Sequence, residues 1–135
     1  FKEAIVIGCD QTAEYNNIQI QKPLDYESAL SQLKELSGKR VNFHSAICVH
    51  YYKKNIFQKK VISFNVKYKD LNLVEIKSYL EKEKPFNCTG SIRSEGLGIT
   101  LLDEINSSDP TAVIGLPLIT LVDMLNKVGI NINGR

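Results

Sequence analysis

Apolar and polar positions change rhythm several times along the 135 residues, and each change marks an element. Residues 4–10, Ala-Ile-Val-Ile-Gly-Cys-Asp, form a continuous apolar run ending in a carboxylate. Such a run predicts a strand buried on both faces. Asn16-Asn17 separates it from the alternating Ile18-Gln19-Ile20-Gln21. Asparagine tolerates the left-handed backbone of a tight hairpin, so a turn is predicted there. Beyond Lys22-Pro23, Asp25 is placed to cap a helix on which Tyr26, Ala29, Leu30, Leu33 and Leu36 recur at helical spacing. Gly38 supplies its stop.

Val41, Phe43, Ser45, Ile47 and Val49 then alternate at period two, as do Ile62, Phe64, Val66 and Tyr68. Lys53-Lys54-Asn55 reads as the tip of the hairpin between them. Asn72-Leu73-Val74-Glu75 has the form of a capping box, opening a helix with Leu73, Ile76 and Leu80 inward. Residues 96–105 read as a strand. Pro117 opens a last helix with Leu118, Leu121, Val122 and Leu125 on one face and Gly129 after it. Hairpins combined with strand–helix alternation predict an α/β fold, a mixed sheet flanked by helices, in one domain over residues 1–135.

Charge changes this picture little. Seventeen Lys and Arg face fifteen Asp and Glu, a net charge of +2. That balance predicts neither a nucleic-acid nor a membrane surface. The most apolar stretch, residues 112–122, contains Gly115 and Pro117 and falls short of the ~20 residues a bilayer requires. The opening residues carry no leader-like pattern. Cys9, Cys48 and Cys88 are odd in number and widely spaced, without a C-x-x-C pair. They are read as three small buried hydrophobes in a reducing compartment, so a cytoplasmic location is expected.

The candidate chemistry is concentrated in a few polar positions. Asp10 ends its apolar run, where a rigid strand would present a carboxylate at the carboxyl end of a sheet strand. That suits a hard ligand for Mg²⁺ or a base that orients water; a turn-forming Asp is the plain alternative. Lys22 precedes Pro23, which restricts it to extended geometry, as a fixed point charge for phosphate would be. Residues 87–99 form a polar loop with Gly90, Gly96 and Gly98, suggesting tight turns or close approach to a ligand. Glu95 within it could accept hydrogen bonds from a base edge. No Gly-Lys-Ser/Thr follows, so this is not a Walker-type loop. Residues 109–118 read as helix initiation. His44 and His50 have no third ligand at metal spacing. Lys53, Lys54, Lys59 and Lys60 read as a solvated strand edge, with RNA binding the sharper alternative.

Taken together, Ile7-Gly8-Cys9-Asp10-Gln11, Gln21-Lys22-Pro23, Leu36-Ser37-Gly38-Lys39, residues 91–99 and residues 113–118 resemble the Maf family of nucleotide pyrophosphatases, in order and spacing. Asp10-Gln11 and Ser94-Glu95-Gly96 further resemble the subgroup that hydrolyses 7-methyl-GTP; other subgroups favour dTTP and UTP. The resemblance implies an inosine-triphosphate-pyrophosphatase-like α/β fold. It also implies attack of water at the α-phosphate, giving a nucleoside monophosphate and pyrophosphate with a divalent cation, Mg²⁺ or Mn²⁺. It casts Asp10 as proton acceptor and candidate metal ligand and Lys22 as the phosphate lysine. Gln11 and Glu95 become the residues that choose the base. The expected partner is a nucleotide, and a homodimer is left open.

Three departures matter. Ser45-Ala46 stands where the family usually has Thr-Gly, and Asn87 where Asp is common. The family's opening strand and Ser-x-x-Arg-Arg loop have no counterpart here, the arginines being Arg40, Arg93 and Arg135. The 135 residues alone are therefore expected to be weakly active or inactive. Action on dTTP, UTP or other modified nucleotides, and a non-catalytic nucleotide-binding remnant, are the alternatives.

Overall fold

The computed structural model describes residues 2–134. Five strands make one sheet: β1 Ile5–Tyr15, β2 Ile18–Ile20, β3 Arg40–Tyr51, β4 Ile56–Tyr68 and β5 Leu102–Asn106, in spatial order β2-β1-β3-β4-β5. Among the described residues four α-helices accompany it: α1 Tyr26–Leu36, α2 Leu73–Glu83, α3 Pro110–Ile114 and α4 Leu118–Lys127. The expected α/β sheet flanked by helices is present, but it is antiparallel where a mixed sheet was expected: hairpins and neighbouring strands supply each of its four described pairings.

Local chemistry accounts for the element ends. Asn16 and Asn17 both take positive φ, 51° and 62°, the geometry of a two-residue hairpin turn. Asp25 accepts from the Ser28 N–H and caps α1. Asn72 and Glu75 exchange side-chain and backbone hydrogen bonds in a complete capping box at α2.

Alternation along β3 sets the layers. Val41, Phe43, Ser45, Ile47 and Val49 are buried, while His44, Ala46, Cys48 and His50 are exposed or half-exposed. Two cores share the buried face. Phe43, Phe64, Val66 and Tyr68 pack with Leu33 and Leu36 of α1 and Ile76 and Leu80 of α2, the two phenyl rings stacked at 5.1 Å. Ile47 and Val49 pack with Leu121 and Met124 of α4 and with Val128. Ser45 lies between them, completely buried.

Several expectations change. The opening strand is not buried on both faces: it runs on to Tyr15, and Val6 is 53% exposed. Val6 stands opposite half-exposed His50, on the face turned away from the buried side chains of β3, and β2 pairs only with Ala13, Glu14 and Tyr15, which leaves residues 5–10 at the sheet edge as well. β4 starts at Ile56, six residues before the regular apolar alternation. The strand expected over 96–105 is a 3₁₀ segment, Leu97–Leu101, followed by the short β5. Leu73 and Leu118 are exposed, and Tyr79 and Met124 take the inward places on their helices. α3 was not anticipated. Cys9 is exposed, and Cys48 and Cys88 are half-buried, so none is a core hydrophobe.

The hairpin lysines are structural in part. Lys53 pairs with Glu3, and Lys54 donates to the Val128 carbonyl beyond the end of α4. No helix among the described residues is long and apolar enough to cross a membrane.

Candidate active site

Asp10, Gln11, Lys22 and Glu95 line one cavity, though they come from three separate parts of the sequence. Its wall includes Phe43, Phe64 and Val66 from the sheet and Asn87, Cys88, Thr89 and Ser94 from the glycine-punctuated loop.

Asp10 sits differently from the expectation. It is mid-strand, opposite Ala46, and not at a strand's carboxyl end. β1 continues because Gln11 and Ala13 extend the inward-facing set that Ser45 and Phe43 of β3 match, and Tyr15 pairs onward with Ile18 of β2. Asp10 is exposed, on the stretch of β1 that β2 does not reach. Its Oδ1 accepts the N–H of Gln11 at 2.9 Å, which orients the carboxylate.

Gln11 is fixed by its amide nitrogen. Nε2 donates to Ser45 Oγ at 2.9 Å and to the Ala112 carbonyl at 3.0 Å. The carbonyl acceptor determines which end is nitrogen, and both amide hydrogens are engaged. What Gln11 can offer a ligand is its amide oxygen, an acceptor.

Lys22 rides on a pinned backbone. Gln32 Nε2 donates to the carbonyl of Gln21 at 2.8 Å, and the Leu24 N–H donates to the carbonyl of Phe86 at 2.8 Å. Pro23 between them is buried. The ammonium is exposed, with no ion pair among the described residues.

The loop bearing Glu95 is held from beneath by two tyrosines. The Tyr68 hydroxyl, fully buried, donates to the Gly90 carbonyl at 2.8 Å. The Tyr79 hydroxyl donates to the Ser91 carbonyl at 2.9 Å and accepts the Arg93 N–H at 3.1 Å. Burial pushes both phenols far above their usual range, so they are fixed neutral donors. Gly90 takes a φ of 70°, which glycine adopts without penalty. The Glu95 carboxylate lies 3.4 Å from Arg93 Nε.

The tyrosines and Arg93 escaped sequence reasoning. Tyr79 had only its helical phase to mark it, and Arg93 had only its place in the glycine-rich loop. Burial and the nearby Glu95 charge push the Cys88 thiol up, away from the thiolate form that a nucleophile needs. No group of three or more His, Cys, Asp and Glu gathers among the described residues. Glu95 is tied to an arginine and Asp10 is not, so Asp10 is the cavity's available hard ligand. A single carboxylate completed by phosphate oxygens is a donor set that Mg²⁺ accepts. The residues therefore fit an ion carried in with a phosphorylated ligand.

An acceptor, two carboxylates and a lysine on a fixed backbone thus line one cleft whose wall is part apolar and part polar. Residues 1–128 match the family described as Maf-like protein. The chain belongs to the Maf family. It is 45% identical over 132 residues to a 7-methyl-GTP pyrophosphatase of Methylobacillus flagellatus, covering 98% of this chain and 69% of that one. It is 46% identical over 126 residues to a protein of the same name from Burkholderia pseudomallei, covering 93% and 59%. A third, from Nitrosospira multiformis, is 41% identical over 129 residues, covering 96% and 65%. The chain thus spans roughly three-fifths to two-thirds of the length of these relatives.

Proposed function

We propose that this chain carries the nucleotide site of a nucleoside triphosphate pyrophosphatase whose substrate is 7-methyl-GTP. The observation that carries the reading is the convergence of Asp10, Gln11, Lys22 and Glu95 on one cavity. The names of the relatives support the same substrate.

The reaction is attack of water on the α-phosphorus. The bond from that phosphorus to the bridging oxygen breaks, and pyrophosphate leaves with a nucleoside monophosphate. Asp10 takes the proton of the attacking water. Its orientation by the Gln11 N–H keeps the other carboxylate oxygen available. Lys22 offsets phosphate charge from a backbone that needs no reordering on binding. A divalent cation, Mg²⁺ or Mn²⁺, held by Asp10 and the phosphates, would add charge neutralisation.

Base choice falls to Gln11 and Glu95. The N1–H and N2–H₂ edge of a 7-methylguanine donates hydrogen bonds, and the methylated ring is cationic. Two acceptors, one of them charged, complement both properties.

Turnover by these 135 residues should be slow. Both described arginines are engaged by carboxylates, Arg40 with Glu104 and Arg93 with Glu83 and Glu95, leaving Lys22 as the cavity's unneutralised cation. The test is product analysis with 7-methyl-GTP and Mg²⁺ or Mn²⁺. Slow formation of 7-methyl-GMP and pyrophosphate, lost on Asp10→Asn, is expected. Orthophosphate release, or products unaffected by Asp10→Asn, would reject the reading.

A further inference from the structure

Glu83, at the end of α2, lies outside the set of cavity-lining residues yet is the most enclosed carboxylate among the described ion pairs. Its side chain is 8% exposed, against 40% for Glu95 and 51% for Arg93. Two contacts hold it. Arg93 Nη1 donates to Glu83 Oε1 at 2.7 Å, and the Leu97 N–H donates to Oε2 at 3.1 Å. A third feature makes room for it: a Cβ at Gly96 would collide with this carboxylate. The loop is thus shaped around Glu83.

Arg93 spans two acids unequally. It meets Glu83 at 2.7 Å in a close charge-assisted bond and reaches Glu95 at 3.4 Å through Nε. A guanidinium fully seated on Glu95 would cancel the charge that a cationic base needs and would occupy its acceptor positions. Held by Glu83, it steadies Glu95 from the side and leaves that carboxylate able to accept from a ligand.

We propose that Glu83 is a positioning residue for base specificity: by anchoring Arg93, it keeps the Glu95 carboxylate uncovered and open toward a cationic purine. The proposal rests on the reading of Glu95 given above. It assigns Glu83 no contact with the nucleotide.

The test compares affinities of the full chain for 7-methyl-GMP and GMP, ligands that differ in the base's methyl group and charge and dispense with the triphosphate. Glu83→Gln should reduce the preference for 7-methyl-GMP by about tenfold, the scale of one lost charge-assisted hydrogen bond. Glu83→Gln combined with Arg93→Gln should restore it, because no guanidinium remains to cover Glu95. Gly96→Ala, which displaces the same carboxylate without removing its charge, should lower the preference as well and serves if Glu83→Gln fails to fold. A double variant no better than Glu83→Gln would show a merely structural role and overturn the proposal. A preference unchanged in Glu83→Gln but abolished in Glu95→Gln would overturn it while leaving the reading of Glu95 intact. A preference indifferent to Glu95→Gln would remove both.

Discussion

Gln11 and Ser45 face each other in register across β1 and β3, with Gln11 Nε2 2.9 Å from Ser45 Oγ. Ser45 is fully buried between the two cores, so this bond ties a cavity residue to the packed interior of the sheet. Ser45→Ala leaves a Gln11 N–H without its partner. We expect a loss of about 1–3 kcal/mol in urea denaturation, the usual penalty for an unsatisfied, part-buried donor. Affinity for 7-methyl-GTP should fall with it, since the Gln11 oxygen is no longer aimed.

The two tyrosines under the loop predict a graded effect. Tyr68→Phe removes one bond, to the Gly90 carbonyl, while Tyr79→Phe removes two, to Ser91 and from Arg93. Each should destabilise by about 1–3 kcal/mol, Tyr79→Phe by more than Tyr68→Phe. Tyr79→Phe should additionally speed amide hydrogen exchange at Arg93, because that N–H loses its acceptor. Unchanged exchange at Arg93 would argue against the tyrosine as the loop's anchor.

Glycine substitutions separate two kinds of close approach. A Cβ at Gly98 would strike the backbone of Arg93, which cannot yield, whereas one at Gly96 would strike the movable end of Glu83. Gly98→Ala should therefore cost more than Gly96→Ala, with overpacking typically worth about 1–3 kcal/mol. Thermal unfolding of the two variants checks the order.

Asp109 predicts an acid-side loss of stability. Burial pushes its carboxyl up, but hydrogen bonds from the Thr111 hydroxyl and from the N–H groups of Ile119, Thr111 and Ala112 outweigh that and hold it below its ordinary 3.8. A depressed folded pKa means stability that is complete above the unfolded value and disappears as pH falls through the folded one. Unfolding curves for the unchanged chain should weaken below about pH 4, where the unfolded carboxyl begins to bind protons. Asp109→Asn should reduce stability at pH 7 and flatten that dependence. Joining the starts of α3 and α4, Asp109 is a structural residue, and base preference should not change with it.

Much of this was legible beforehand wherever one local rule decided the outcome. The Asn16-Asn17 turn, the cap at Asp25 and the Asn72–Glu75 box formed as their residue types dictate. Asp10, Gln11, Lys22 and Glu95, which the family resemblance singled out, line one cavity. What local pattern could not show was long-range. The burial of residues 5–10 depended on which face of the sheet is covered and on how far β2 reaches, which no periodicity encodes. The expected strand at 96–105 begins only at Leu102 because Gly96 and Gly98 fold the chain against Glu83 and Arg93, partners 13 and 5 residues away in sequence. Tyr79 read as one more helical position until its hydroxyl was seen to meet the loop.

The most direct measurement is equilibrium binding of 7-methyl-GTP, GTP and UTP, with Mg²⁺, to the chain and to its Glu95→Gln variant. 7-Methyl-GTP should bind about 10- to 100-fold tighter than GTP, as expected for one or two charge-assisted contacts, and Glu95→Gln should remove most of this difference. Equal affinities for the three nucleotides, or a preference for 7-methyl-GTP that survives Glu95→Gln, would contradict this reading of Glu95.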